Sequence, residues 1–120
     1  MKLRRISWGT FLALLLAAFF IVGAIGNIFV TEKIAFDYMR WGYPDWFHYI
    51  TGLMELSTAT LLIQRSLRLW GALLGATIMI AASATVLLHS EYPHAVAPLV
   101  VLIVAITVGW LNRYQWRSAE

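Results

Sequence analysis

WGTFLALLLAAFFIVGAIGNIFV, residues 8–30, carries no charged side chain, and the uncharged run extends from Ile6 to Thr31. At about 1.5 Å of rise per residue, a helix of this length crosses the roughly 30 Å of hydrocarbon in a bilayer with some tilt. Lys2, Arg4 and Arg5 precede it, as the basic leader of a secretory signal peptide would. The apolar core of such a peptide is only roughly 7–15 residues and ends in a small-residue cleavage site. This run is longer, and we read it as a membrane span.

Three further apolar runs follow. Residues 46–64 contain one acid, Glu55; residues 69–88 contain no charge; residues 95–111 form the shortest run. Each approaches the ~20 residues of a spanning helix. None alternates strictly between apolar and polar, so a β-barrel is disfavoured. Backbone groups in lipid must satisfy one another within the segment, which leaves helices. The expected fold is all-α, a four-helix transmembrane bundle forming a single domain over residues 1–120. Composition agrees: 61% of residues are hydrophobic and 12% charged, against about half and a quarter in soluble domains.

The basic residues predict the topology. Lys2, Arg4, Arg5, Arg65, Arg68, Arg113 and Arg117 fall on one side of the four spans, and only Lys33 and Arg40 on the other. Basic residues concentrate in cytoplasmic connections, so both termini are expected in the cytoplasm. Trp8, Trp41, Trp46, Trp70, Trp110 and Trp116 fall near predicted interfaces, where tryptophan is enriched. The net charge of +3 is spread over span ends and makes no single patch, which argues against nucleic acid as a partner. The absence of cysteine excludes disulfides and thiolate chemistry. Between the first two spans, residues 34–41 predict a short amphipathic surface helix. Gly42-Tyr43-Pro44 ends it, with Asp45 expected in the first turn of the next helix.

Glu55 is the most informative residue, because an acid within a span is costly and by default functional. Helical geometry puts His48, Thr51, Gly52, Glu55 and Thr58 on one side of the second span, a polar stripe expected to face the interior. Three readings stay open: a hydrogen-bonded carboxyl that fastens helices together, a site for a small polar or quinone-like ligand, and proton transfer. Asn27, near the outer end of the first span, either bonds to this stripe or lies at the interface. His48, His89 and His94 share the outer side, but no HxxxH or HExxH spacing occurs, and no metal site is expected. Gly71 and Gly75 form a GxxxG pair, extended by Ala72, Ala76, Ala82 and Ser83; Gly23 and Gly26 form a second small face. Both suit close helix approach. No phosphate-binding, nucleophile-elbow or EF-hand motif is present.

Lys33, Gly42-Tyr43-Pro44-Asp45-Trp46-Phe47, Gly52-Leu53-Met54-Glu55-Leu56, Arg68-x-x-Gly71-Ala72 and the segment 79–89 together resemble the DoxX-like membrane proteins, over roughly residues 10–110. Gly42, Tyr43, Pro44, Gly52 and Glu55 match that family's pattern. The resemblance implies a four-helix protein of the bacterial cytoplasmic (inner) membrane. Some relatives look like subunits of thiosulfate:quinone oxidoreductase, and others are linked to redox stress or to assembly of membrane partners. The leading expectation is an accessory protein that binds a small ligand or a membrane partner through Glu55, His48, Thr51, Gly52, Thr58, Tyr43 and Asn27. The alternative is a quinone-interacting subunit of an oxidoreductase complex. No cofactor motif is evident, though a quinone is compatible. A small transporter is a third reading, without a visible inverted repeat. The expected partners are the lipid bilayer and a membrane protein or a second copy of the chain.

Overall fold

A computed structural model describes residues 7–113; the basic leader at Lys2, Arg4 and Arg5 and the tail with Trp116 and Arg117 lie outside these residues. Among the described residues there are five α-helices and no strand. They are α1 (Trp8–Ile28), α2 (Glu32–Arg40), α3 (Phe47–Ile63), α4 (Arg68–Leu88) and α5 (Val96–Leu111), with 3₁₀ turns at Arg65–Leu67 and Tyr92–Ala95. Three stretches are long and apolar enough to cross a membrane: Trp8–Ile28, Arg65–Leu88 and Tyr92–Leu111. The α3 helix, with 17 residues and Glu55 among them, is shorter.

Local chemistry sets the helix ends. Ser7 caps α1 by accepting from the Thr10 amide at 3.1 Å, and Thr31 caps α2 by accepting from Ile34 at 3.3 Å. Glu32 in the first turn of α2 and Arg40 in the last both complement the helix dipole. Gly42 ends α2 with φ +85°. Its amide bonds to Met39 and that of Tyr43 to Tyr38, each at 3.0 Å, the paired bonds of a Schellman motif. Ser90 does the same after α4 at φ 58°, with its own amide bonded to Leu87 and that of Glu91 to Val86. The start of α3 departs from expectation. Its first turn holds no acid, because the Phe47 amide bonds to the Pro44 carbonyl and folds Asp45 and Trp46 into a turn outside the helix.

The α1 helix lies along α3, α4 packs against both α3 and α5, and α1 also meets α5. Phe20, Leu62 and Val108 fill the core among Ala13, Ala17, Ala59, Ala72 and Ala105. Gly23, Gly71 and Gly75 face neighbouring helices, whereas a Cβ on Gly26, expected to share the small face of α1, would meet nothing within 4 Å. A Cβ on Gly71 would lie 2.9 Å from the Leu62 amide nitrogen, and one on Gly75 would lie 3.0 Å from the Phe20 ring. Large apolar side chains such as Leu15, Val22, Ile80 and Ile103 face outward, as contact with lipid tails requires.

Polar contacts gather the chain's turning points at two ends. At one end Asn112 donates to the Gly9 carbonyl at 3.3 Å, and Arg68 reaches Thr10 Oγ1 at 3.0 Å. Arg68 is the first residue of α4 and only 5% exposed. Its Nε donates to the Leu62 carbonyl at 2.8 Å, satisfying the C-terminal end of α3. At the opposite end lie α2 and the α4–α5 connection, joined by Arg40 and Glu91.

Candidate functional site

Glu55 is 4% exposed and sits between α1 and α3. Gly23 makes the room: a Cβ there would collide with the Glu55 carboxylate. One helical turn on, Asn27 Nδ2 donates both to Glu55 Oε1 and to the Gly23 carbonyl at 3.1 Å. Both partners accept, which fixes the amide orientation and leaves Asn27 Oδ1 as an acceptor. Tyr38 fills that role, donating its hydroxyl hydrogen at 2.6 Å. The Asn27 main-chain carbonyl, orphaned at the end of α1, meets His48 Nδ1 at 2.6 Å. Since a carbonyl only accepts, Nδ1 carries the hydrogen. Asn27 therefore ties α1 to α2 through Tyr38, and to α3 through Glu55 and His48.

A cavity of about 860 Å³ opens beneath α2, between α3 and α4. Its floor is apolar, formed by Phe19, Met54, Ile78 and Met79. Its upper wall carries Tyr38, Tyr43, Thr51 and Thr85. Tyr43 stacks on Phe47 with ring centres 4.4 Å apart and planes 8° from parallel. Tyr43 Oη lies 2.6 Å from Thr85 Oγ1, and Thr85 in turn donates to the Ala81 carbonyl at 2.9 Å. Burial pushes the Tyr38 pKa above its ordinary value, so its hydroxyl stays uncharged at neutral pH.

The rim holds Lys33, Asp37, Arg40 and Glu91. Arg40 bridges Asp37 and Glu91, each at 2.6 Å, and Trp41 Nε1 donates to Glu91 at 2.8 Å. The hydrogen bonds from Arg40 and Trp41 hold the Glu91 carboxyl down at about 2. No residue of α2 is buried, so these bonds, with Tyr38, carry most of its attachment.

Of the residues singled out from sequence, Tyr43 and Thr51 line the cavity. Glu55 connects to it through Asn27 and Tyr38. Gly52 faces α1, where a Cβ would lie 2.8 Å from Ile28. Thr58 is fully buried and donates to the Met54 carbonyl at 2.9 Å. His48 supports the end of α1, His89 Nδ1 lies 2.8 Å from the Thr85 carbonyl, and His94 lies 3.2 Å from Glu91. Among the described residues no three His, Asp or Glu side chains gather where a metal could bind. Tyr38, Thr85 and Glu91 escaped the sequence reading. Glu91 left one usable signal: it is the lone acid of its connection, on the same expected side as Arg40. The sequence profile of the DoxX-like family matches residues 11–108. Searches of curated proteins and of solved structures give no match.

Proposed function

The chain belongs to the DoxX-like family of membrane proteins, and from that premise we propose that it is an accessory protein that holds a small amphipathic molecule in the cavity under α2. One observation carries this reading: the cavity has an apolar floor and a hydroxyl-lined upper wall, the arrangement that orients a molecule with a polar head and a greasy body. Tyr38, Tyr43 and Thr51 face the head. Asn27, Glu55, His48, Gly52 and Thr58 hold the wall from behind, so Glu55 acts through Asn27.

In this reading residues 1–120 form one domain, and α1, α3, α4 and α5 all cross the bilayer as a four-helix bundle. The 17 residues of α3 give about 25 Å of helix, a modest mismatch with the hydrocarbon. The basic-residue bias supports cytoplasmic termini, and the family supports a bacterial inner membrane. Lipid covers the outward faces, and a membrane partner or a second copy of the chain docks among them. A quinone-interacting subunit of an oxidoreductase is the second reading, favoured by the flat Tyr43–Phe47 stack at the cavity wall.

Native mass spectrometry of protein released gently from its own membranes tests the proposal. Wild type should retain a small molecule at near-stoichiometric level. Ala82→Trp, which fills the cavity from α4, should lose it. The same retained molecules in both proteins would sink the reading.

A further inference from the structure

The cavity wall has a polarity that follows from where its hydrogens go. A hydroxyl has one hydrogen to give and two lone pairs to receive with. Tyr38 gives its hydrogen to Asn27 Oδ1 at 2.6 Å. That direction is enforced, because Asn27 Nδ2 faces the Gly23 carbonyl and the Glu55 carboxylate. Thr85 gives its hydrogen to the Ala81 carbonyl. Both Thr85 contacts are satisfied together when the 2.6 Å contact between Tyr43 and Thr85 takes its hydrogen from Tyr43. Thr51 is directed at the Phe47 carbonyl, at 3.4 Å.

The rim repeats the pattern. Arg40 uses Nη1 on Asp37, and Nη2 and Nε on Glu91. Trp41 uses its indole N–H on Glu91. The remaining donors sit at the exposed edge: the Lys33 ammonium, the second ring nitrogen of His94 and the outer hydrogens of the Arg40 guanidinium. Tyr43, its hydrogen given to Thr85, keeps acceptor capacity at the cavity wall, whereas the Tyr38 oxygen also meets the Thr51 side chain. Beneath that rim the wall at Tyr43 and Thr85 therefore accepts hydrogen bonds and offers no hydroxyl hydrogen. A head with carbonyl or ether oxygens alone would be desolvated there without donors, so its oxygens would be left unpaired.

We infer that the cavity selects an amphipathic molecule whose head carries hydroxyl hydrogens, a phenol or an alcohol, over one whose head only accepts. Lys33, as a cation of the rim, disfavours a cationic amine head. This inference rests on the ligand-cavity reading above and specifies its chemistry. If the occupant is one member of a quinone and quinol pair, the quinol has the matching head. Asn27 and Thr85 are positioning residues: each takes a tyrosine hydrogen and so turns a hydroxyl into an acceptor.

The test compares 4-octylphenol with its methyl ether, which has the same tail and ring but no hydroxyl hydrogen. Binding is measured by titration into the full chain in nanodiscs, with empty nanodiscs and the Ala82→Trp variant as references for lipid partition. The phenol should bind about tenfold more tightly, the effect of one well-placed hydrogen bond. Tyr43→Phe should shrink that preference without weakening the ether. Thr85→Val keeps the side-chain shape and frees the Tyr43 hydrogen to donate inward, so it should strengthen ether binding. A purely structural role for Thr85 would weaken both probes alike. Equal affinities in wild type, or ether binding unmoved by Thr85→Val, would overturn the inferred polarity while leaving the cavity reading in place. If neither probe binds above the Ala82→Trp background, the cavity reading fails and this inference fails with it.

Discussion

At position 23 a missing side chain determines where a present one goes. The Glu55 carboxylate lies in the volume that a Cβ on Gly23 would occupy, and Asn27 holds it there. Gly23→Ala should therefore destabilise the protein by about 1–3 kcal/mol, the usual range for overpacking a tight interface. In the Glu55→Ala background the same change should be nearly neutral, because the clashing carboxylate is gone. Thermal unfolding of the four proteins in one detergent measures the coupling, and additive effects would contradict it. Glu55 was legible in the sequence because a lone acid in an apolar run is conspicuous. Asn27 was only half legible, since its position at the end of a span suited two roles. Tyr38 was not legible at all: periodicity within a short surface helix does not say which side chain turns toward another helix.

The element with the most distinctive attachment is α2. It has no buried residue and is latched at its C-terminal end by Glu91. The folded-state pKa of Glu91 is depressed from 4.5 to about 2. A depressed carboxyl contributes its stabilisation fully above the ordinary pKa and loses it as pH falls through the folded one. The latch should therefore hold at neutral pH, weaken between about 4.5 and 2, and open below. The chain has no cysteine, so spin labels can be placed at Phe36→Cys and Val96→Cys alone. Their distance distribution should broaden across that acid window, and Glu91→Gln should broaden it at every pH. A narrow distribution in Glu91→Gln would show that the latch is dispensable. The existence of α2 was readable, but its bounds shifted from 34–41 to Glu32–Arg40. The Thr31 cap draws the start back to Glu32, and the Gly42 turn follows directly on Trp41. The residues up to Trp46 then belong to turns, which is why Asp45 misses the first turn of α3.

Across the whole molecule, the connections at 64–68 and at 89–95 lie at opposite ends. In the proposed orientation, Gln64→Cys in intact cells should resist a membrane-impermeant thiol reagent and His94→Cys should react. The reverse pattern would invert the topology. Helix number and order were readable from composition and run length, because lipid tolerates few unsatisfied backbone groups. The cavity was not, since it depends on how α2 roofs the gap between α3 and α4, and no spacing rule encodes that. The burial of Arg68 was not readable for a related reason: its guanidinium is covered through contacts with Leu62 and Thr10, residues that only the fold brings near.

The shorter α3 with its buried Glu55 and His48 also bears on how the chain is made. Charged residues cost about 2.5–3.5 kcal/mol at the centre of an inserting helix, so α3 by itself is a poor candidate for release into the bilayer. When α3 leaves the ribosome, α1 has already been synthesised, with the Asn27 side chain and main-chain carbonyl ready to receive it. If α3 crosses the bilayer as proposed, chain order lets α1 receive it, and replacing the first helix by polyleucine should leave α3 poorly inserted, which protease protection of the nascent chain would read.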